Sequence, residues 1–293
     1  MIRLPPCKTL LLEQQDLALF VTLNRPQRRN AMSLAMVSEL AEVFAAIAGD
    51  TSIRAVVLRG AEGHFCAGAD IQDMIAARSG QAGEPGEEKG GSRDPFYKLN
   101  RTFGYLLVQV ENAPQVVITV LEGAVLGGGM GLACVSDVGL CTPDARLGLP
   151  ETGLGIPPAQ IAPFMVKRIG LTETRRLALL GLRFDGPEAV RLGIAHELVE
   201  PEVIPMRLKD ILDQVRGSAP EANRITKALL HRVHNEPLED LLDDAAEQFA
   251  RAVRGQEGEE GTLAFIQKRK PYWAANEGAE KRATASRPVE DRE

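Results

Sequence analysis

The stretch AVLGGGMGLACVSD (124–137) decides how this chain is read. It follows the apolar run Val116 to Leu121, which reads as a strand, and the turn Glu122-Gly123. Gly128 to Ser136 reads as the start of a helix, and Val138 to Cys141 as the next strand. A glycine cluster between a strand and a helix lets another group approach the backbone closely. It also leaves the first N–H groups of the helix without internal partners. A second compact cluster, HFCAGADI (64–71), holds the same position after the strand Ile53 to Arg59 and before a short helix from Asp70.

Two uses of such turns are excluded by spacing. Gly127-x-Gly129-x-Gly131 is not the GxGxxG dinucleotide fingerprint. It lies far from the first strand, and no acidic strand-end residue follows about 20 positions on. A phosphate loop would need a GKS or GKT, which is absent here. Tight packing would explain either cluster alone. Together they predict two backbone N–H donors converging on one oxygen, as an oxyanion hole requires.

The rest of the chain frames these turns. Leu17 to Leu23 reads as a strand ended by Asn24-Arg25-Pro26. Ser33 caps a helix to about Ala48, with Leu34, Val37, Leu40, Ala41, Phe44 and Ile47 at helical spacing and Gly49 closing it. Helices are also predicted over 98–112 and over 172–180, the latter capped by Thr172. Beyond Pro205 the periodicity predicts helices over 206–216, 221–234, 238–254 and 262–270. The fold class is therefore α/β, with a core over 1–200 and a helical region over 201–273. The segment RSGQAGEPGEEKGGSRDP (78–95) has no apolar periodicity and reads as a flexible insertion, either tolerated on the surface or acting as a lid. The polar tail, 274–293, reads as disordered.

Composition removes several function classes. At 293 residues the chain allows one large domain, or one domain with an appendage. A net charge of −6 argues against nucleic acid as a partner, because phosphate binding needs a basic surface. No run of about 18 apolar residues predicts a membrane span, and the apolar run Leu10 to Leu12 is too short for a signal peptide. Cys7, Cys66, Cys134 and Cys141 show no CxxC pairing and read as reduced thiols of a cytoplasmic protein, with no metal site. His64, His196, His231 and His234 show no ligand pattern, and the last two read as surface residues. Cys66 reads as a packed residue and Asp137 as a structural hydrogen-bonding one.

HFCAGADI (64–71), AVLGGGMGLACVSD (124–137) and LGLPETGLGIP (147–157) together resemble the crotonase superfamily of enoyl-CoA hydratases and isomerases. The resemblance runs from about residue 7 to residue 273 and takes in LNRPQRRNAMS (23–33), RFDGPEAVRLGIAHELV (183–199) and EGTLAFIQKRKPYW (260–273). It implies a spiral of repeated ββα units with a C-terminal helical trimerisation region, and a homo-oligomer that is a trimer or a dimer of trimers. It implies a coenzyme A thioester as substrate and no cofactor. The thioester oxygen would sit between the N–H groups of Ala69 and Gly128. Ala67, Asp70 and Ile71 would touch the CoA, with Arg25 and Arg28 in a nearby loop. Phe249, Phe265 and Lys268 match positions that reach the CoA, in some members from a neighbouring subunit. For the basic residues a solvated surface charge remains open.

One departure stands out. Common hydratases of the superfamily carry two glutamates beside the double bond. The later one is Glu151 here, but Gly131 occupies the place of the first. A lone glutamate can still activate water and return a proton to the α-carbon. Losing the first carboxylate would leave space and a less negative site for an acyl chain that itself carries a carboxylate. The expectation is hydration of a branched, acidic enoyl-CoA. Generic enoyl-CoA hydration or isomerisation, and non-catalytic acyl-CoA binding, are the competing readings.

Overall fold

The computed structural model describes residues 3–70, 72, 73, 75, 94–233 and 235–275. Ile71, His234, nearly all of the 78–95 insertion and most of the 274–293 tail lie outside the described residues. The chain divides into two compact units, Met1–Leu212 and Asp213–Glu293.

The first unit is built on a six-stranded sheet. Its strands are β1 (Leu10–Gln15), β2 (Ala18–Leu23), β3 (Ala55–Gly60), β4 (Val116–Leu121), β6 (Val138–Cys141) and β9 (Glu197–Leu198), adjacent in that order. β1 and β2 pair antiparallel as a hairpin, and the other neighbours pair parallel. All six residues of β2 are buried, which is why LALFVTL lacks polar alternation: a strand covered on both faces has no wet side. A smaller sheet holds β5 (Ala124–Leu126), β7 (Arg146–Gly148) and β8 (Arg183–Phe184).

The chain feeds both sheets in alternation. β4 is followed by β5, and β6 by β7, one strand to each sheet. After β3 the same step is made by single bridges, Cys66 to Val125 and Ala69 to Met32. This is the spiral of ββα units that the resemblance implies. The helices are α1 (Leu34–Ile47), α2 (Pro95–Glu111), α3 (Gly128–Cys134), α4 (Ala162–Leu180) and α5 (Gly186–Arg191). Ser33 caps α1 as expected, accepting from the Met36 N–H. The buried face of α1 is Met36, Val37, Leu40, Val43, Phe44 and Ile47.

Several elements differ from expectation. β1 was not predicted, because its second half, Glu13-Gln14-Gln15, is exposed and polar. The helix assigned to 172–180 begins at Ala162 and breaks at Gly170, whose φ of 77° and ψ of 166° are not helical. Thr172 therefore lies inside α4 and caps nothing. Residues 72, 73 and 75 of the short helix expected after Asp70 are helical.

α6 (Ile204–Gly217) spans the division between the units. The second unit continues with α7 (Pro220–Arg232), α8 (Leu238–Arg254) and α9 (Gln256–Ile266). The last begins six residues before the expected start, since Gly258 and Gly261 stand within a helix rather than ending one.

A fully buried asparagine ties the first loops together. Asn30 Oδ1 accepts from the Arg25 N–H at 2.8 Å, and its Nδ2 donates to the carbonyls of Ala61 at 2.9 Å and His64 at 2.6 Å. Its φ of 56° is a left-handed conformation that asparagine adopts more readily than most residues. Asn30→Ala strands three part-buried backbone groups. It should cost about 2 kcal/mol or more, seen as a fall in melting temperature. An unchanged melting temperature would contradict the role assigned to this residue.

Candidate active site

Three segments supply the site, and each is fixed by backbone hydrogen bonds. The loop 64–70 is stitched on both edges. The N–H groups of Phe65 and Cys66 donate to Glu122 and Ala124 at 2.8 Å each, and the Leu126 N–H donates to Cys66 at 2.9 Å. On the other side Met32 donates to Gly68 at 2.8 Å, Asp70 to Met32 at 2.9 Å and Ala67 to Arg29 at 3.0 Å. Residue 69 pairs with Met32 through its neighbours' groups, so its own N–H points the other way. The Ala69 N–H meets no acceptor among the described residues, and Ala69 is exposed.

The turn 127–131 opens α3. Gly127 donates to Gly148 at 3.1 Å, Gly131 donates back to Gly127 at 3.1 Å, and the Gly129 N–H is directed to the Cys66 thiol. The Gly128 N–H, at the first helical position, has no acceptor among the described residues. Ala69 and Gly128 thus both carry an N–H without an acceptor among the described residues.

Glu151 stands against this turn. It follows the buried Leu149 and Pro150 and begins a single 3-10 turn, Glu151–Leu154. The Thr152 hydroxyl donates to the Ala178 carbonyl at 3.0 Å, pinning the turn to α4. A Cβ on Gly127 would lie 2.6 Å from Glu151 Oε1, and Gly127 has φ 47° and ψ −110°, open only to glycine. The carboxyl and the turn can be this close only because residue 127 has no side chain. Glu151 Oε2 is buried, with no hydrogen-bond partner among the described residues. Burial pushes the carboxyl's pKa up, against the weaker opposing pull of its own N–H. A half-buried carboxyl of raised proton affinity, with one oxygen unpartnered among the described residues, is suited to general acid and base work.

Gly131 does not face open space. A Cβ there would sit 3.2 Å from Phe103 Cζ and from Leu107 Cδ1, both on α2. Phe103 Cζ is also 3.5 Å from the Cβ position of Gly128. The position of Gly131 is therefore bordered by an apolar wall.

The residues expected to bind CoA divide. Arg25 and Asp70 engage each other at 2.6 Å, and Arg25 also donates to the Ala31 carbonyl at 2.5 Å. Burial opposes ionisation of Asp70, but the Gln72 N–H and Arg25 outweigh it and hold the carboxyl below its usual range. This pair fastens the 64–70 loop to the 25–31 loop. Ala67 lies in the stitched loop, and Arg28 is exposed. Phe249 and Phe265 are 71% and 86% exposed, on α8 and α9, and Lys268 follows α9. These three belong to the second unit.

The other flagged side chains are structural. His64 Nδ1 accepts from the Ala124 N–H at 3.1 Å, and His196 Nδ1 from the Gly139 N–H at 2.9 Å. Asp137 Oδ2 accepts from the Val117 N–H at 2.7 Å. Burial raises the Cys66 thiol to about 11, so it is not a nucleophile at neutral pH. His231 is half-buried in α7. No group of three or more potential metal ligands exists among the described residues, and none of their helices is long and apolar enough to cross a membrane. Asn30 and the α2 side chains Phe103 and Leu107 were missed from the sequence. Only the asparagine's place in a tight turn offered a signal.

Residues 13–276 match the enoyl-CoA hydratase/isomerase family, and the chain belongs to it. The structure is similar to that of an enoyl-CoA hydratase/isomerase from Marinobacter aquaeolei, with a TM-score of 0.86 and 58% identity over 92% of this chain and 100% of that one. It is similar at the same TM-score and coverage to Pseudomonas aeruginosa AtuE, at 57% identity. The short-chain-enoyl-CoA hydratase of Clostridium acetobutylicum is 28% identical over 89% of this chain and 95% of its own length.

The raised pKa of Glu151 has a consequence for stability. The folded state binds this proton more tightly than the unfolded chain does. Folding is therefore penalised progressively as pH rises from the unfolded to the folded pKa, and fully above both. Glu151→Gln should raise the melting temperature at about pH 8 and lose that gain near pH 4. A Gln variant less stable than the parent at the higher pH would contradict the desolvated, unpaired carboxyl.

Proposed function

We propose that this chain hydrates the double bond of a branched, acidic enoyl-CoA, with isohexenylglutaconyl-CoA the favoured substrate and 3-hydroxy-3-isohexenylglutaryl-CoA the product. That reaction belongs to the breakdown of citronellol and geraniol. Family membership supports acyl-CoA chemistry of the hydratase or isomerase type. The observation that carries the finer reading is the pairing of one unpartnered carboxyl, Glu151, with an apolar surface at Gly131. A second carboxylate there would repel an acyl carboxylate, whereas Phe103 and Leu107 suit a hydrocarbon branch.

In this reading the N–H groups of Ala69 and Gly128 polarise the thioester oxygen. Glu151 takes a proton from water as the oxygen of that water bonds to the β-carbon. The π electrons shift to give an enolate held by the two donors. The protonated Glu151 then delivers its proton to the α-carbon, and one water has been added. No step needs a metal or redox group.

Arg28, Ala67, Ile71, Phe249, Phe265 and Lys268 are proposed to contact the CoA, and the Arg25–Asp70 pair to shape the loop beneath it. Self-association as a trimer or a dimer of trimers would cover the exposed apolar residues Leu238, Leu242, Phe249 and Val253, which recur at helical spacing on α8.

The test is a panel of enoyl-CoA thioesters followed by loss of ultraviolet absorbance. Isohexenylglutaconyl-CoA and 3-methylglutaconyl-CoA should outperform crotonyl-CoA. Glu151→Gln should lower turnover by about two to four orders of magnitude. Preference for crotonyl-CoA would favour a generic hydratase. A shifted double bond without added water would favour an isomerase. CoA binding with no turnover at all would favour a non-catalytic role.

A further inference from the structure

An acyl chain that carries a carboxylate needs a cation beside the apolar wall, and α2 holds one. Arg101 is half-buried and makes no ion pair among the described residues. Its guanidinium carbon lies 3.8 Å from the centroid of the Tyr105 ring, one turn along the helix. Its Nη1 is 3.4 Å from Gln160 Oε1, on the segment that follows the Glu151 turn. Gln160 is itself oriented, since its Nε2 donates to Asn100 Oδ1 at 3.0 Å and so turns its carbonyl oxygen toward Arg101.

Gly104 makes this arrangement possible. A Cβ there would lie 1.9 Å from Gln160 Oε1 and 2.7 Å from Arg101 Nη1. The guanidinium and the carboxamide are laid directly on the helix backbone, in a cradle that any other residue would fill. Phe103, next to Gly104, and Leu107, one turn on, are the side chains that border Gly128 and Gly131. Gly104 and Leu107 lie three positions apart, so the cation seated over Gly104 and the Leu107 side of the apolar wall are neighbours on the helix surface. By contrast, Arg25 is already spent on Asp70.

We propose that Arg101 is a specificity-determining residue, the cation that receives the acyl-chain carboxylate of the substrate. The Tyr105 face and Gln160 hold the planar guanidinium and leave further N–H donors free for a two-point contact with a carboxylate. The inference rests on the reading above that the acyl chain is acidic.

The experiment is calorimetric binding of two saturated thioesters to the full chain, glutaryl-CoA with its terminal carboxylate and butyryl-CoA without one. Both bind without being hydrated, so the result does not depend on turnover. The quantity read is the ratio of the two dissociation constants. Arg101→Gln should erode the preference for glutaryl-CoA about tenfold or more, and Arg101→Lys should restore part of it. Gly104→Ala, which displaces the guanidinium without removing it, should erode it too. An unchanged ratio overturns the inference. So does equal weakening of both thioesters, which would place Arg101 at the CoA portion or in the fold alone. Hydration of a glutaconyl-CoA by the parent protein with an Arg101-independent ratio would sink this inference and spare the proposed function. An Arg101-dependent ratio in a protein that hydrates no glutaconyl-CoA would do the reverse.

Discussion

The closeness of the Glu151 carboxyl to the backbone of Gly127 is the constraint on which the rest of the site depends. It requires a glycine at 127, in a conformation other residues avoid, and a turn at 151 held against α4 through Thr152. It leaves Oε2 buried with no partner among the described residues, and so raises the proton affinity of the carboxyl. Gly128 follows directly and starts a helix with its N–H unspent among the described residues, so one of the two proposed oxyanion donors is only one residue from the glycine that admits the Glu151 carboxyl. The other proposed donor, Ala69, is held by a loop whose Cys66 N–H donates to β5 and whose Ala67 and Asp70 N–H groups donate to the 29–32 segment. Two parallel bridges turn what would be a free loop into part of a sheet.

Charge placement separates this chain from the common two-glutamate pattern. The position of Gly131 is bordered by Phe103 and Leu107, which do not compete with a negative group but cannot attract one. For the acidic acyl chain of the proposed substrate, the attraction would come from elsewhere on α2. The cradle at Gly104 keeps a guanidinium against the helix, where a larger residue would displace it. The three glycines thus serve separate ends. Gly127 admits the Glu151 carboxyl, Gly131 meets Phe103 and Leu107, and Gly104 seats the Arg101 guanidinium.

Much of the fold was legible because its signals are local. β2, β3 and β4 are dominated by apolar residues, and α1 carries both its period and its cap in the sequence. Motif order singles out Glu151, Ala69 and Gly128, which carry the proposed chemistry. Other elements were illegible for physical reasons. β1 has only one apolar half, since its far end is wet. The break in α4 is a single backbone conformation at Gly170, with no change in composition around it. The early start of α9 sets two glycines in helical positions, where local propensity points the other way. The α2 residues at the site, Phe103 and Leu107, could not be placed because their importance is a long-range contact. No pattern within α2 announces that it packs against Gly131. The same holds for Arg101, which differs from an ordinary surface arginine only through Gln160, 59 residues away.

The central claim is that one carboxyl, Glu151, performs the proton transfers in a site without a second one. The most direct measurement is the pH dependence of kcat/KM for the parent protein on its best enoyl-CoA substrate. Glu151 must be ionised to take a proton from water, and burial raises its pKa. The rate should therefore fall on the acid side through a single ionisation, with a midpoint above the ordinary glutamate value of about 4.3. An acid limb at or below that value, or one that needs two ionisations, would contradict the account.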